Sequence, residues 1–384
     1  MIRKCEDVDF EPLAQLWADG WNESHLEHTP PDLTALRTLP DFLRRLREMG
    51  DDLRVCGPVG APSGFCAVKK NEIYQIYVAK SARGSGVAKS LLHDGEARIA
   101  ARGYKEAKLD VIIPNTNARS KDYSQIKDIF RPGHADYTYQ AKYKNRDYRG
   151  GGRSSARVTA GWVAAGAMAE SYLKEKIGIE IIAYTQSVGG INCPPLKEAP
   201  TKDQVDAHAV RCPHAETAEE MQQYIKQLKA HGDSIGGTIN CTIKNVPAGL
   251  GEPVFGKFNA LLAQYMMSIN AVKSIAIGDA NNLLKTGSEL SDEPGNAGHW
   301  NTKENKNNGL LGGISTGETI AFTLGFKAPS SIAKAQTAFD ADFNPISLEI
   351  NGRHDPCVLP RAIPIVETMC ASLILDLYLE SKTN

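Results

Sequence analysis

Residues 128–157, DIFRPGHADYTYQAKYKNRDYRGGGRSSAR, gather more site-forming residue types than any other stretch of the chain. His134 is flanked by Pro132, Gly133 and Asp136, three glycines run from Gly150 to Gly152, and arginines stand at Arg131, Arg146, Arg149, Arg153 and Arg157. Such a set suits a polyanion. Glycine lets a backbone approach a ligand, its N–H groups with Ser154 and Ser155 can hold phosphate oxygens, and an arginine fork matches phosphate at two points. A surface turn with solvated arginines would carry the same letters. Against that reading, GGGRSSARVTAGWVAAGAMAESYL passes directly from the glycines into an alanine-rich apolar helix whose N-terminus would face the anion. An imidazole between Arg131 and Asp136 is tunable across physiological pH, which favours a functional His134 over one that merely bonds a turn.

Composition narrows the rest. A chain of 384 residues is long for one domain and comfortable for two. Its 44 Lys+Arg against 45 Asp+Glu leave a formal net charge of -1, so no whole-chain field recruits nucleic acid or an anionic membrane, and any anion site is local. The eight cysteines are scattered without regular spacing, which implies reduced thiols and a cytoplasmic setting. Cys212 and His214 stand two apart, but no second pair follows at ligand spacing, so no metal site is expected. The opening MIRKCEDVDFEP lacks the apolar stretch of a signal peptide, and no run of about 18 apolar residues predicts a membrane span.

Two unlike pieces make up the chain, joined near residue 112. In residues 1–112, LAQLWADGWNESHL and DLTALRTLPDFLRRLREM have helical apolar spacing, GFCAVKK and EIYQIYVA alternate like paired strands, and a long helix opens at ARGSGVAKSLL and closes at Gly103. Strand, glycine turn and helix form a phosphate-binding geometry. The residues Arg83, Gly84, Ser85, Gly86, Val87 and Ala88 would expose successive backbone N–H groups to a pyrophosphate, although a glycine before a helix is also common on structural grounds alone.

The blocks FRPGHADYTY and RDYRGGGRSSAR resemble the chorismate synthase family. The resemblance continues in order through NVPAGLGEPVF (245–255), SINAVK (268–273), GGISTGE (312–318), FKAPSSI (326–332) and GRHDPCVLPRAIPIVETM (352–369), covering residues 113–384 without the family's opening quarter. It implies an α+β fold, with a helical core between antiparallel sheets, and a homotetramer. It also implies a lyase that converts 5-enolpyruvylshikimate 3-phosphate to chorismate and phosphate with reduced FMN, NADPH being one source of reduction. By the same resemblance, Arg153, Ser154 and Ser155 hold FMN, Asn270, Ala271, Gly312 and Arg353 lie nearby, and Lys327, Ala328, Pro329, Ser330 and Ser331 complete the pocket. His134 corresponds to the histidine that protonates the reduced flavin, and Asp355 to the carboxylate that helps move the flavin N5 proton. Each also has a plainer reading: Ser330 and Ser331 could cap a following helix, Asn270 could end one, and Asp355 could sit in a solvated turn.

The phrase IYVAKSARGSGVAKSLL is similar to the acetyl-CoA site of the Gcn5-related (GNAT) N-acetyltransferases, so residues 1–112 are expected to form a partial lobe of that kind. The apolar run KLDVIIPN can be parsed as a strand of either family. Departures accompany both resemblances. The histidine motif Gly-Glu-Ser-His-Gly of chorismate synthases does not occur, and Asn22 to Leu26 match it only by letters. Val158, Gly161 and Trp162 replace residues usual in that family beside the flavin. FMN binding is therefore expected to outlast efficient turnover. The alternatives are an acetyl-CoA-dependent N-acetyltransferase, or an inactive fusion that keeps flavin binding or assembly.

Overall fold

The computed structural model describes residues 2–25, 35–105, 126–148, 150, 152–196, 198–278, 282, 284–296, 300–349 and 355–382. The chain divides into two compact units, Met1–Ala118 and Arg119–Asn384. The KLDVIIPN run and Arg353 lie outside the described residues.

In the first unit, β1 (Ile2–Lys4), β2 (Leu53–Cys56), β3 (Gly64–Lys69) and β4 (Glu72–Val78) form an antiparallel sheet in that order. Helices α1 (Phe10–His25), α2 (Leu39–Met49) and α3 (Val87–Ala101) cover it. The period of two along β3 shows why both faces are buried. Phe65 and Ala67 join Leu13, Trp17, Phe42 and Leu46 from α1 and α2, whereas Cys66 and Val68 join Leu91 and Ile99 from α3. Thr38 caps α2, accepting from Asp41 N at 3.4 Å, and Gly86 at φ 84° opens α3 in the left-handed region that glycine tolerates.

The second unit begins with β5 (Ile129–Phe130), α4 (Asp136–Tyr143) and α5 (Thr159–Ile177). Its main sheet holds β6 (Glu180–Val188), β7 (Ile191–Asn192), β8 (Gly237–Lys244), β9 (Val272–Ile277) and β12 (Ile320–Phe326), antiparallel in the order β7-β6-β8-β12-β9. Between these strands lie α6 (Lys202–Asp206), α7 (Ala215–Ala230), α8 (Phe258–Met267) and the small hairpin β10 (Leu310–Leu311) and β11 (Ile314–Ser315). A second sheet pairs β13 (Gln336–Asp340) with β14 (Pro345–Leu348) on one side and with β5 on the other, Phe339 opposite Phe130. The α+β architecture expected from the sequence is the one observed.

Helix α9 (Leu359–Glu380) fills the core of this unit. Leu359, Ile363, Val366, Cys370, Leu373, Ile374 and Leu377 recur at helical spacing and are buried against β6, β8, α5 and α8. By length and composition α9 could cross a membrane, but 56% of its apolar window is buried within the unit, as befits a core helix. Its Glu367 is buried yet satisfied, accepting from Lys202 Nζ at 2.7 Å and from Ala183 N at 3.0 Å. Helices α5 and α9 meet at Gly166, where a Cβ atom would stand 2.3 Å from Thr368 O.

Gly161, five residues earlier on α5, has open space where its Cβ would be. Gly161→Ala is therefore expected to raise stability by about 0.5–1 kcal/mol, and Gly166→Ala to lower it by about 1–3 kcal/mol through overpacking. Urea denaturation of the two variants checks both signs.

Candidate functional site

Strand β5, pinned to β13, delivers the segment Arg131–His134 as a turn in which His134 N donates to Arg131 O at 3.3 Å. Strand β12, central in the main sheet, delivers Lys327 as the first residue of the loop that carries Ser330 and Ser331. The two segments clasp. Gly133 O accepts from Lys327 Nζ at 2.6 Å and from Ser330 Oγ at 3.1 Å, and Lys327 Nζ lies 2.8 Å from Ser330 Oγ. Gly133 has φ 68°, and a Cβ there would stand 2.6 Å from Ser330 Oγ, so both conformation and space require glycine.

His134 Nε2 lies 2.9 Å from Ser331 Oγ and Nδ1 lies 3.1 Å from Pro132 O. A carbonyl oxygen only accepts, so Nδ1 carries the proton in the neutral ring and Nε2 accepts from the Ser331 hydroxyl. Burial, and after it the Arg131 charge, pushes His134 below its ordinary value of 6.5. Burial likewise lowers Lys327, with Lys273 adding to the effect.

Further residues attach to this clasp. Lys327 N donates to Ala271 O at 2.9 Å, and Asn270 Nδ2 donates to Ser154 O at 3.3 Å. Pro329 O accepts from Ser234 Oγ at 2.6 Å, while the neighbouring Ile235 N donates to Pro356 O at 2.8 Å. Ala328 N sits so close to Gly236 that a Cβ on that glycine would stand 2.8 Å from it. His134, Ser154, Asn270, Ala271, Lys327 to Ser331 and the backbone beside Asp355 thus form one hydrogen-bonded set. No helix follows Ser331, so its hydroxyl serves His134 and not a cap.

Other predicted residues are placed differently. Ser155 turns back to accept from Arg157 N at 3.3 Å, and Arg153 is exposed. Asp355 pairs with Arg361. Gly312 lies on the β10–β11 turn, whose Gly313 O accepts from Phe258 N at the start of α8. Asn270 follows the other end of that helix, roughly 15 Å along its axis, so within the chain Gly312 does not join the set.

The arginines expected to face a polyanion divide their duties. Asp136 accepts from Arg131 Nε at 2.7 Å and Nη2 at 2.9 Å, and pairs with Arg146 Nη1 at 3.0 Å. Burial alone would raise the Asp136 carboxyl, but the Arg131 fork holds it below the usual carboxylate range. This buried ion triad, which letter spacing could not assign, rigidifies the turn and removes two arginines from any ligand. Arg149 lies outside the described residues.

In the first unit, Arg83 to Ala88 form an exposed turn with Gly84 at φ 80° and Gly86 at φ 84°. Ser85 N donates to Ala82 O at 3.3 Å, while the N–H groups of Gly84, Gly86, Val87 and Ala88 have no acceptor among the described residues. His214 caps α7, its ring accepting from Thr217 N at 3.4 Å. Cavities of about 410 Å³, beside Leu290, Asp292, Trp300 and Glu318, and about 180 Å³, in the first unit, are lined by none of the predicted residues.

Residues 105–379 match the family model described as chorismate synthase. The chain belongs to the chorismate synthase family. Residues 12–120 match the acetyltransferase (GNAT) family, so the two matches overlap at 105–120 and the synthase match begins ahead of residue 113. A chorismate synthase of Parabacteroides distasonis is 48% identical over 71% of this chain and 76% of its own length. One of Christiangramia forsetii is 46% identical over the same shares. A solved structure titled as a crystal structure of chorismate synthase superposes with a TM-score of 0.53 at 29% identity, covering 64% of this chain and 70% of that one.

Two outcomes follow from the charges around this family's signature turn. Asp136→Asn leaves Arg131 and Arg146 facing each other in a buried setting, and is expected to cost about 3–5 kcal/mol in denaturant unfolding. His134, lowered below 6.5, takes up a proton more readily in the unfolded chain, so the stability it contributes is present above 6.5 and lost as pH falls. Unfolding free energy measured from about pH 7 down to about pH 5.5 is expected to decline, with His134→Gln removing a slope of at most about 1.4 kcal/mol per pH unit.

Proposed function

We propose that the second unit binds FMN at the clasp and acts as a chorismate synthase on 5-enolpyruvylshikimate 3-phosphate, with cofactor binding better preserved than turnover. The observation that supports this most is His134 seated on Ser331 while Lys327 bridges Gly133 and Ser330. The donor set suits a flavin nucleotide. A half-buried ammonium, the exposed Arg153, the Ser154 and Ser155 hydroxyls and the Asn270 amide combine cations with neutral donors, and the Ser330 and Ser331 oxygens keep acceptor lone pairs, as a phosphate and a ring edged with carbonyls and nitrogens require. When bound, reduced FMN supplies an electron-rich ring beside the reacting centre and is not consumed.

The chain's own residues then have defined tasks in this reading. Arg153, Ser154 and Ser155 bind phosphate, and Asn270 and Ala271 orient the Ser154 segment and the Lys327 loop against each other. His134 stays neutral in the free protein, and an anionic ligand beside it restores its affinity for a proton at Nε2. Asp355, paired with Arg361 in the free protein, is the carboxylate that helps move a proton in this reading. No Gly-Glu-Ser-His-Gly motif occurs in the sequence, and the absence of one general acid typically lowers rates by ~10²–10⁴-fold. The reading carries with it a cytoplasmic homotetramer and NADPH as one possible reductant. The exposed amides of the Gly84–Gly86 turn support acetyl-CoA binding as a second reading for the first unit.

Anaerobic assay with reduced FMN is expected to yield chorismate ~10²–10⁴-fold more slowly than the Parabacteroides distasonis enzyme. FMN is expected to raise the Tm of the protein, and Lys327→Gln with Ser331→Ala to weaken its binding by at least about tenfold. Absence of any flavin binding overturns the proposal, and stabilisation by acetyl-CoA alone selects the second reading.

A further inference from the structure

We propose that the first unit holds a separate binding site for a small carboxylate carrying an aromatic or apolar ring, in the cavity between the end of α2 and the β3–β4 hairpin. The cavity measures about 180 Å³ and is lined by Arg45, Glu48, Met49, Asp52, Lys69 and Tyr74 among others. Its volume is that of about six waters, too small for a nucleotide and sufficient for one ring with one carboxylate.

The charges of the wall are unequally satisfied. Glu48 accepts from Arg44, and Asp52 accepts from Arg102 Nη2 at 2.5 Å. Asp41, one turn before Arg45, is bonded to Arg37 and Arg44. Neither Arg45 nor Lys69 makes an ion pair among the described residues, although the Arg45 charge acts on Asp41 at longer range. Arg45 is nevertheless held in place, with its guanidinium carbon 4.5 Å from the centre of the Trp17 ring. Trp17 is itself buried, 5.0 Å from Phe42 and 5.5 Å from Phe65 between ring centroids. A fixed cation facing a cavity whose acidic groups are already engaged is an anion receptor.

The hairpin supplies the apolar half. The ladder pairs Ala67 with Gln75 but Val68 with Ile73, leaving Tyr74 as the extra residue of a bulge, a distortion that re-aims a side chain. Tyr74 and Met49 line the cavity together, and Lys69 Nζ lies 5.4 Å from the Tyr74 ring centre. A ring stacked on Tyr74 and Met49 places its carboxylate within the reach of Arg45 and Lys69. Tyr74 stands about 13 Å along β4 from Val78, and the Gly84–Gly86 turn lies beyond that end of the strand and lines no part of the cavity, so the site is distinct from the phosphate-binding geometry there.

Calorimetric titration of the full-length protein with phenylacetate tests this, with uncharged phenylacetamide in parallel. Phenylacetate is expected to bind saturably at one site per chain, and the amide at least about tenfold more weakly. Arg45→Gln, Lys69→Gln and Tyr74→Ala are each expected to weaken phenylacetate about three- to tenfold, whereas Arg47→Gln, outside the cavity on the Phe10 ring, leaves it unchanged. Should Arg45→Gln disturb the Trp17 packing, as circular dichroism would show, the surface variants Lys69→Gln and Tyr74→Ala carry the test. No saturable binding, equal binding of acid and amide, or an equal loss with Arg47→Gln overturns the proposal.

Discussion

The second unit depends on one contact, the Lys327 ammonium donating to the carbonyl of Gly133 across 194 residues of sequence. A hydrogen bond from a charged donor contributes about 1.5–3 kcal/mol, too little to order two free loops against their backbone entropy. It suffices because neither segment is free. Lys327 follows directly on β12, the strand flanked on both sides in the main sheet, and Gly133 follows β5, held by β13 in the second sheet. The two sheets bring the ends to within bonding distance, and the clasp then sets the angle at which His134 meets Ser331.

Charge is arranged around that contact so that the turn is held by its own ion pairs. Asp136 pairs with both Arg131 and Arg146 in a buried setting, where either cation alone would be costly, and the triad keeps one net positive charge. That excess charge, together with half-buried Lys327, Lys273 beside it and exposed Arg153, makes the potential near the turn positive. His134, lowered by burial and after it by Arg131, holds a proton less readily than a free imidazole. In the proposed reading, an anion bound beside the imidazole raises its proton affinity, which couples protonation to occupancy.

Much of this was legible in the residues, and the limit is a physical one. Local signals held in part: Gly86 opens a helix, Gly103 follows the end of one, and GFCAVKK and EIYQIYVA form paired strands, but β3 is buried on both faces and the helix read through DLTALRTLPDFLRRLREM starts only after Thr38. The ordered motifs contain the segments that the fold brings together, from His134 to Ser331. Allocation of partners was not legible, because it depends on contacts between residues far apart in sequence. Nothing in the spacing of five arginines says that Arg131 and Arg146 converge on Asp136 while Arg153 stays exposed. Nor does the GGIST motif reveal that Gly312 sits beyond the far end of α8. The tautomer of His134 followed only once Pro132 O was seen beside Nδ1.

Ala271 shows how the pieces are forced together. Its φ of 71° is left-handed, a conformation that disfavours a residue with a Cβ by about 1–2 kcal/mol. Such strain persists only where the surroundings over-determine it. Here they do so from two directions: Lys327 N bonds the Ala271 carbonyl, and the adjacent Asn270 amide bonds Ser154 O. A relaxed backbone at Ala271 would turn one of these groups away, separating the serine segment from the loop that carries Lys327. The strained residue therefore sits at the seam between the proposed phosphate-binding segment and the clasp, and its cost is offset by keeping the two in register.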